Sequence, residues 1–152
     1  MEQKEVRVLL EQVVGGKMDI DEAMLKLKEA PFEDLGFAKP DYHRALRQGI
    51  AEVIYGAGKT PEQIHDIVAS MVQQGQKSIL ITRMSSEAAE AVEQDFIIKY
   101  DKYSRIGLVG EIPEPDGIGK VVVAAAGTSD LPVAEEAAQT AECFGNEVVR
   151  LY

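Results

Sequence analysis

The stretch VVVAAAGTSDLPVAEEAAQTAECFGNEVVRLY, from Val121 to Tyr152, decides the fold. Val121 to Ala126 is a run of β-branched and small apolar residues, which predicts a buried central strand. Gly127-Thr128-Ser129-Asp130-Leu131-Pro132 breaks that run as a loop. A helix follows, with Val133, Ala134, Ala137, Ala138, Ala141 and Phe144 on one face and Glu135, Glu136, Gln139 and Glu142 on the other. Gly145 stops the helix, and Glu147 to Tyr152 supplies the next strand. Strand, helix and strand in this order form the repeating unit of a parallel α/β sheet.

The loop falls at the carboxyl end of the first strand, where open α/β sheets bind ligands. Glycine lets the backbone turn sharply and lets a ligand come close. The N-terminus of the next helix offers N–H groups and a partial positive charge, which suits an anion. Thr128 and Ser129 add hydroxyl donors, while Asp130 opposes phosphate but accepts from sugar hydroxyls. Gly127, Thr128, Ser129 and Asp130 are therefore candidate substrate-binding residues for a ribose phosphate. Ser129 and Asp130 are also favoured helix caps, and capping alone accounts for them equally well.

Upstream, Glu111-Ile112-Pro113-Glu114-Pro115-Asp116-Gly117 has the prolines, acidity and terminal glycine of a linker. The expected organisation is a small α/β domain over 1–110, a linker over 111–119 and an incomplete second domain over 120–152. In the first domain, Val6, Leu9, Leu10, Val13 and Val14 recur at helical spacing up to Gly15-Gly16. A second helix begins at Asp19, with Glu22 as its capping partner, Ile20, Met24 and Leu27 on its inner face and Pro31 closing it. Asp41 to Gln48 is a short helix candidate and Ala51 to Tyr55 a strand candidate. Thr60-Pro61 with Gln63 opens a third helix, whose stripe is Ile64, Ile67, Val68, Met71 and Val72 and whose stop is Gly75. Ser78 to Thr82 reads as a strand buried on both faces, Ser86 to Glu93 as a helix, and Ile97 to Tyr100 and Arg105 to Val109 as strands.

The chain carries 26 Asp and Glu against 16 Lys and Arg, a net charge of −10. That field repels phosphate backbones and anionic lipid, so neither nucleic acid nor a membrane surface is an expected partner. One cysteine leaves no internal disulfide, and the polar N-terminus lacks the order of a signal peptide. A cytoplasmic protein is the expectation.

Several other features hold chemistry-bearing residues. Gly56-Ala57-Gly58-Lys59-Thr60 resembles a phosphate-binding Walker loop, but Val53 stands where that motif needs its first glycine. Lys59 remains a candidate for an anionic substrate group beside its plainer role as a solvated lysine. Arg44 and Arg47 lie one turn apart on any helix, with Lys39, Asp41 and His43 close by. They suit a pyrophosphate or carboxylate, and equally an internal pairing with Asp41 or Glu52. His65 is placed as a half-buried structural histidine, and no His, Cys and carboxylate spacing suggests a metal site. Cys143 sits in a last helical turn beside Glu136 and Gln139, where the helix dipole and a carboxylate disfavour its thiolate.

The string AGTSDLPVAEEA, running to Ala137, is similar to a segment of the LarB family. So are Phe37 to Arg44, Arg47-Gln48-Gly49, Glu52 to Gly56 and Gly58-Lys59-Thr60, so the resemblance covers nearly the whole chain. More distantly, the last segment resembles PurE, the aminoimidazole ribonucleotide mutase, whose Gly-Ser-x-Ser-Asp-x-Pro loop holds a nucleotide. Ser129, Asp130 and Pro132 match that pattern, whereas Ala126 and Gly127 replace its first Gly and Ser.

The resemblance implies a small N-terminal α/β domain followed by the first β-α-β unit of a PurE-like, flavodoxin-like parallel three-layer sandwich. It implies carboxylation of the pyridinium ring of nicotinic acid adenine dinucleotide by CO2 or bicarbonate, with release of AMP. The product, pyridinium-3,5-biscarboxylic acid mononucleotide, serves the nickel-pincer cofactor of lactate racemase. In that family a cysteine well beyond residue 152 is the catalytic nucleophile, adding to the ring so that a ring carbon can attack CO2. Gly127 to Asp130 would then hold phosphate and ribose, and Arg44, Arg47 and Lys59 more distal anionic groups. No covalent cofactor is implied, with Mg2+ as a candidate ion. The second strand has no covering helix after it, so further chain or partner copies in a homo-oligomer are expected to complete the sheet. A PurE-type mutase and a non-catalytic nucleotide-binding or assembly module are the alternatives.

Overall fold

The computed structural model describes residues 3–27, 35–38 and 52–152. The chain divides into two compact units, 1–52 and 53–152. The first contains α1 (Gln3–Val14) and α2 (Ile20–Leu27), which pack on each other as a helical hairpin. Gly16, at φ +67°, makes the turn after α1. The Oδ1 of Asp19 accepts from the Glu22 N–H at 2.7 Å and so caps α2. Its inner face differs from the expected one. Ile20 and Met24 are exposed, and the buried residue is Ala23, with Leu9 buried on α1. A small side chain lets two short helices approach closely, so the contact falls on the alanine and not on the larger neighbours. Pro31 and the 41–48 helix candidate lie outside the described residues.

The second unit is α/β throughout. It runs β1 (Val53–Tyr55), α3 (Pro61–Gln73), β2 (Ser78–Thr82), α4 (Ser86–Glu93), β3 (Ile98–Asp101), β4 (Ile106–Gly110), β5 (Lys120–Ala124), α5 (Leu131–Cys143) and β6 (Glu147–Leu151). Four strands form one mixed sheet in the order β1-β2-β4-β3, and β5 and β6 form a second. β1 and β2 are parallel, joined by α3, while β4 runs antiparallel to both β2 and β3. The four-stranded sheet thus ends at Gly110 and the two-stranded one begins at Lys120, both inside the one compact unit.

Local chemistry explains these limits. Thr60 and Gln63 form a reciprocal capping box at the start of α3, with bonds of 3.0 and 3.3 Å. Ser85 caps α4 through the Ala88 N–H. Ile64, Ile67, Val68 and Met71 of α3 are buried as expected, but Val72 is exposed. On β2, Ile79, Leu80 and Ile81 are all buried, as a strand covered on both faces requires. By register, Ile79 and Ile81 share a face with Val109 and Gly107, and Leu80 shares the other with Leu108.

α5 packs against β2 and also against β5 and β6. It is a parallel crossover helix for β5 and β6, whose register sets Val121 opposite Val148 and Val123 opposite Arg150. The run at Val121 does form a strand, but it is not buried. Val122 is 57% and Leu151 56% exposed. Val123 lies on the side of Arg150, which faces α5. Val122, and Leu151 as the partner of Ala124, lie on the other face, and among the described residues no further strand or helix shields them. β-branched runs predict burial only when both faces of a sheet are covered. No helix among the described residues is long and apolar enough to cross a membrane.

Candidate functional site

β5 ends at Ala124, and the Ala125 N–H donates to the Leu151 carbonyl at 2.9 Å. The chain then leaves the sheet and turns, closed by a 3.0 Å bond from the Asp130 N–H to the Gly127 carbonyl. Asp130 stands at the N-cap position of α5, yet its carboxylate makes no capping hydrogen bond. Only its backbone carbonyl serves the helix, accepting from Val133 and Ala134. A Cβ added at Gly127 would lie 3.3 Å from Asp130 Oδ2 and 3.7 Å from Ser129 Oγ. Both side chains therefore fold over the bare glycine. Thr128, Ser129 and Asp130 are exposed, and among the described residues neither hydroxyl has a hydrogen-bond partner. A capping role does not account for Ser129 and Asp130 here, which leaves their oxygens open to a ligand.

Lys59 sits at the other sheet, in the turn after β1. Its Nζ donates to the Tyr55 carbonyl at 2.9 Å. Gly56 in the same turn has no room for a side chain, since a Cβ would lie 2.9 Å from the Thr82 carbonyl oxygen. Arg44 and Arg47, with Lys39, Asp41 and His43, lie outside the described residues. Gly127 to Asp130 are thus brought together in one loop, and Lys59 stands at the carboxyl end of a different parallel strand.

The corner directly after β2 was not evident from sequence. Arg83 has φ +54° and Arg105 φ +61°, both in the left-handed region that side chains rarely adopt. Arg105 Nη2 donates to the Arg83 carbonyl at 3.0 Å and its Nε to the Met84 carbonyl at 3.2 Å. The Met84 carbonyl also accepts from the Tyr100 hydroxyl, and the Met84 N–H donates to the Arg105 carbonyl. The guanidinium of Arg83 reaches across to Glu136 of α5 through Nε, at 2.8 to 2.9 Å from its two oxygens. That hydrogen bond and the carboxylate charge raise the Arg83 pKa further. The one available signal was position, immediately past a buried parallel strand.

The polar face of α5 is paired within the fold. Glu135 and Glu142 are held by Arg150 of β6, Glu136 by Arg83, and Gln139 by Asp101 at 2.8 Å. Burial pulls Asp101 upward, but hydrogen bonds from Tyr103, Gln139 and Ser104 outweigh it and keep the carboxyl below its ordinary value. Meanwhile Val133 and Phe144 of the apolar face are exposed and edge a groove of about 520 Å³ with Arg83, Ala137 and Thr140. Only Ala134 and Ala138 of that face are buried.

Cys143 is half-buried in the last turn of α5, and its thiol is pushed up to about 11 by burial first and by Glu142 second. The expected direction holds, but the neighbour responsible is Glu142, not Glu136. A thiol of this kind is protonated at neutral pH and is a poor nucleophile. We expect iodoacetamide to alkylate folded Cys143 several-fold more slowly than a free thiol at pH 8, with labelling rising only well above pH 9. Labelling of the folded chain at the free-thiol rate would show an open or activated cysteine instead. His65 is structural in kind, with Nε2 2.8 Å from Asp95 and its ring 5.6 Å from that of Phe96. Among the described residues no three His, Cys, Asp or Glu side chains gather as metal ligands.

Fold and loop together define an α/β protein with a ligand-accessible turn at the carboxyl end of a parallel strand. The chain belongs to the LarB/PurE-like N-terminal domain family, a carboxylase-related family, which matches residues 32–111. It is also 31% identical over 156 aligned residues to the uncharacterized protein MJ0165 of Methanocaldococcus jannaschii. That alignment covers 98% of this chain and 61% of the relative, so the chain spans about 61% of the length of the curated relative it matches. The family match includes Lys59, Arg83 and Arg105, and the Gly127 loop follows it.

Proposed function

We propose that this chain forms the nucleotide-holding part of a LarB-type enzyme. Its substrate is nicotinic acid adenine dinucleotide. The reaction adds CO2 to the pyridinium ring and cuts the phosphoanhydride with water, giving pyridinium-3,5-biscarboxylic acid mononucleotide and AMP. The observation that carries this reading is the Gly127 to Asp130 loop, whose side-chain oxygens stand open at a helix N-terminus instead of capping it. Membership of the LarB/PurE-like family supplies the reaction class.

In this reading the loop holds phosphate and ribose. Lys59 gives one of its three N–H donors to Tyr55 and keeps two for an anionic group, with Arg44 and Arg47 as further partners. The half-buried Cys143, whose thiol stays protonated at neutral pH, does not supply the thiolate that would add to the ring, so the nucleophile comes from additional length such as the longer relative carries. The open edges of β5 and β6 suit further strands from that length or from another copy.

The test compares the 152-residue chain with a version extended past Tyr152. Each is incubated with the dinucleotide, Mg2+ and labelled bicarbonate. Label entering a mononucleotide with the extended version alone is the expected result. Binding of the dinucleotide without turnover by either version would instead favour a non-catalytic nucleotide-binding module. With aminoimidazole ribonucleotide supplied instead of the dinucleotide, label entering it would favour a PurE-type activity.

A further inference from the structure

Arg83 is held in an unfavourable backbone conformation by a corner that leaves it no freedom. Its own carbonyl and that of Met84 are gripped by Arg105, and Met84 is tied again by Tyr100. Gly56 packs so tightly against the Thr82 and Arg83 carbonyls that no side chain fits there. Strain retained by its surroundings in this way clusters at functional sites, and the inference runs from the strain to a role.

What the corner fixes is a guanidinium. Its Nε donates to Glu136, and among the described residues its Nη1 and Nη2 groups donate to nothing. Four of its five N–H donors therefore stay open in the planar fork that matches a carboxylate or phosphate. The side chain is 44% exposed, so a ligand can reach it. It also lines the open groove of about 520 Å³ that Val133 and Phe144 edge, whose apolar side can lie against a ring-bearing ligand. The groove runs along α5 from Val133, in the first turn after the Gly127 to Asp130 loop, and Arg83 joins it at Glu136, one turn further on.

We propose that Arg83 is a substrate-binding residue, taking a second anionic group of the nucleotide whose first phosphate lies in the Gly127 loop. This rests on the nucleotide-binding reading above. Glu136 is its positioning residue, since it orients the fork through Nε and leaves the Nη edge free. The anion is either the ring carboxylate or the second phosphate.

The substitution that separates binding from structure is Arg83→Gly. Glycine accepts φ +54° without strain, so removing Arg83 leaves the corner intact. Equilibrium titration of the 152-residue chain uses nicotinic acid adenine dinucleotide and, as a second probe, its nicotinamide counterpart, which has the same diphosphate but no ring carboxylate. Arg83→Gly is expected to leave the Tm nearly unchanged, relief of the backbone strain offsetting the lost pair with Glu136, while weakening binding of the acid dinucleotide at least tenfold, and Arg83→Lys to restore only part of it. Equal losses with both probes assign Arg83 to the phosphate, and a loss with the acid alone assigns it to the carboxylate. Undiminished binding by a folded Arg83→Gly overturns the assignment and leaves the nucleotide reading standing. Failure of the unsubstituted chain and its extended version to bind either probe removes both.

Discussion

Gly110→Ala is expected to lower stability by on the order of 3 kcal/mol, which a urea titration of the chain will read as a large drop in midpoint. Two terms add. Gly110 sits at φ +93°, which costs an L side chain roughly 1–2 kcal/mol. Its added Cβ would also collide with the Lys77 carbonyl oxygen, a backbone atom that cannot turn aside. Overpacking of that kind costs about 1–3 kcal/mol. Gly119 provides the comparison, because it has nearly the same φ of +94° and nothing within 4 Å of an added Cβ. Gly119→Ala should therefore show the strain alone. Equal losses from the two substitutions would mean that the close approach of β4 to Lys77 does not exist in solution.

Gly110 also marks what was readable in advance and what was not. The break between β4 and β5 was legible from Pro113 and Pro115, since proline and acidity act locally. The glycine itself was not, because its need comes from Ser78 pairing across the sheet, which is a tertiary fact. The same division runs through the chain. The capping box at Thr60 and the cap at Ser85 fixed α3 and α4 because both partners lie within one turn. The βαβ unit at Val121 was legible from periodicity, but its burial was not, as burial depends on what covers a sheet and not on what composes it.

The site divides likewise. The Gly127 to Asp130 loop announced itself by composition and position. Arg83 did not, since arginine has no preference for the left-handed region and the groups that hold it there, Arg105, Tyr100 and Gly56, lie far along the chain. The pairing on α5 was hidden for a related reason. Glu135, Glu136, Gln139 and Glu142 have the spacing of a solvated face, and only the fold brings Arg83, Asp101 and Arg150 to meet them. Long-range ion pairing is invisible to any reading that counts charges along one helix. It is also what orients the helix that carries the candidate loop.

The second large effect is expected at Arg150. Its Nη1 and Nη2 clasp Glu142 at 2.6 and 2.9 Å, and its Nε donates to Glu135 at 2.9 Å. One guanidinium thereby joins β6 to two successive stretches of α5 and sets the angle at which the helix presents its N-terminus. The side chains are 31%, 19% and 25% exposed for Arg150, Glu135 and Glu142. Removing a fully buried partner costs about 3–5 kcal/mol, and partial exposure reduces that to roughly 2 kcal/mol for Arg150→Ala. Arg150→Lys should recover little, because an ammonium cannot serve both carboxylates in the plane of a fork. The pH dependence distinguishes this clamp from simple packing. Burial raises the Glu135 carboxyl, but the bonds from Arg150 and Gln139 more than offset it and hold the group below its ordinary 4.5. A depressed folded value means the stabilisation is complete above 4.5 and is lost as pH falls through that lower folded value. In Arg150→Ala, Glu135 loses the cation that holds it down, so its protonation costs the variant less than the parent chain. The stability gap between the parent chain and Arg150→Ala should be widest near pH 7 and close as the pH falls below about 4. A gap that stays constant over that range would show that Arg150 acts through its aliphatic stem and not through its charge.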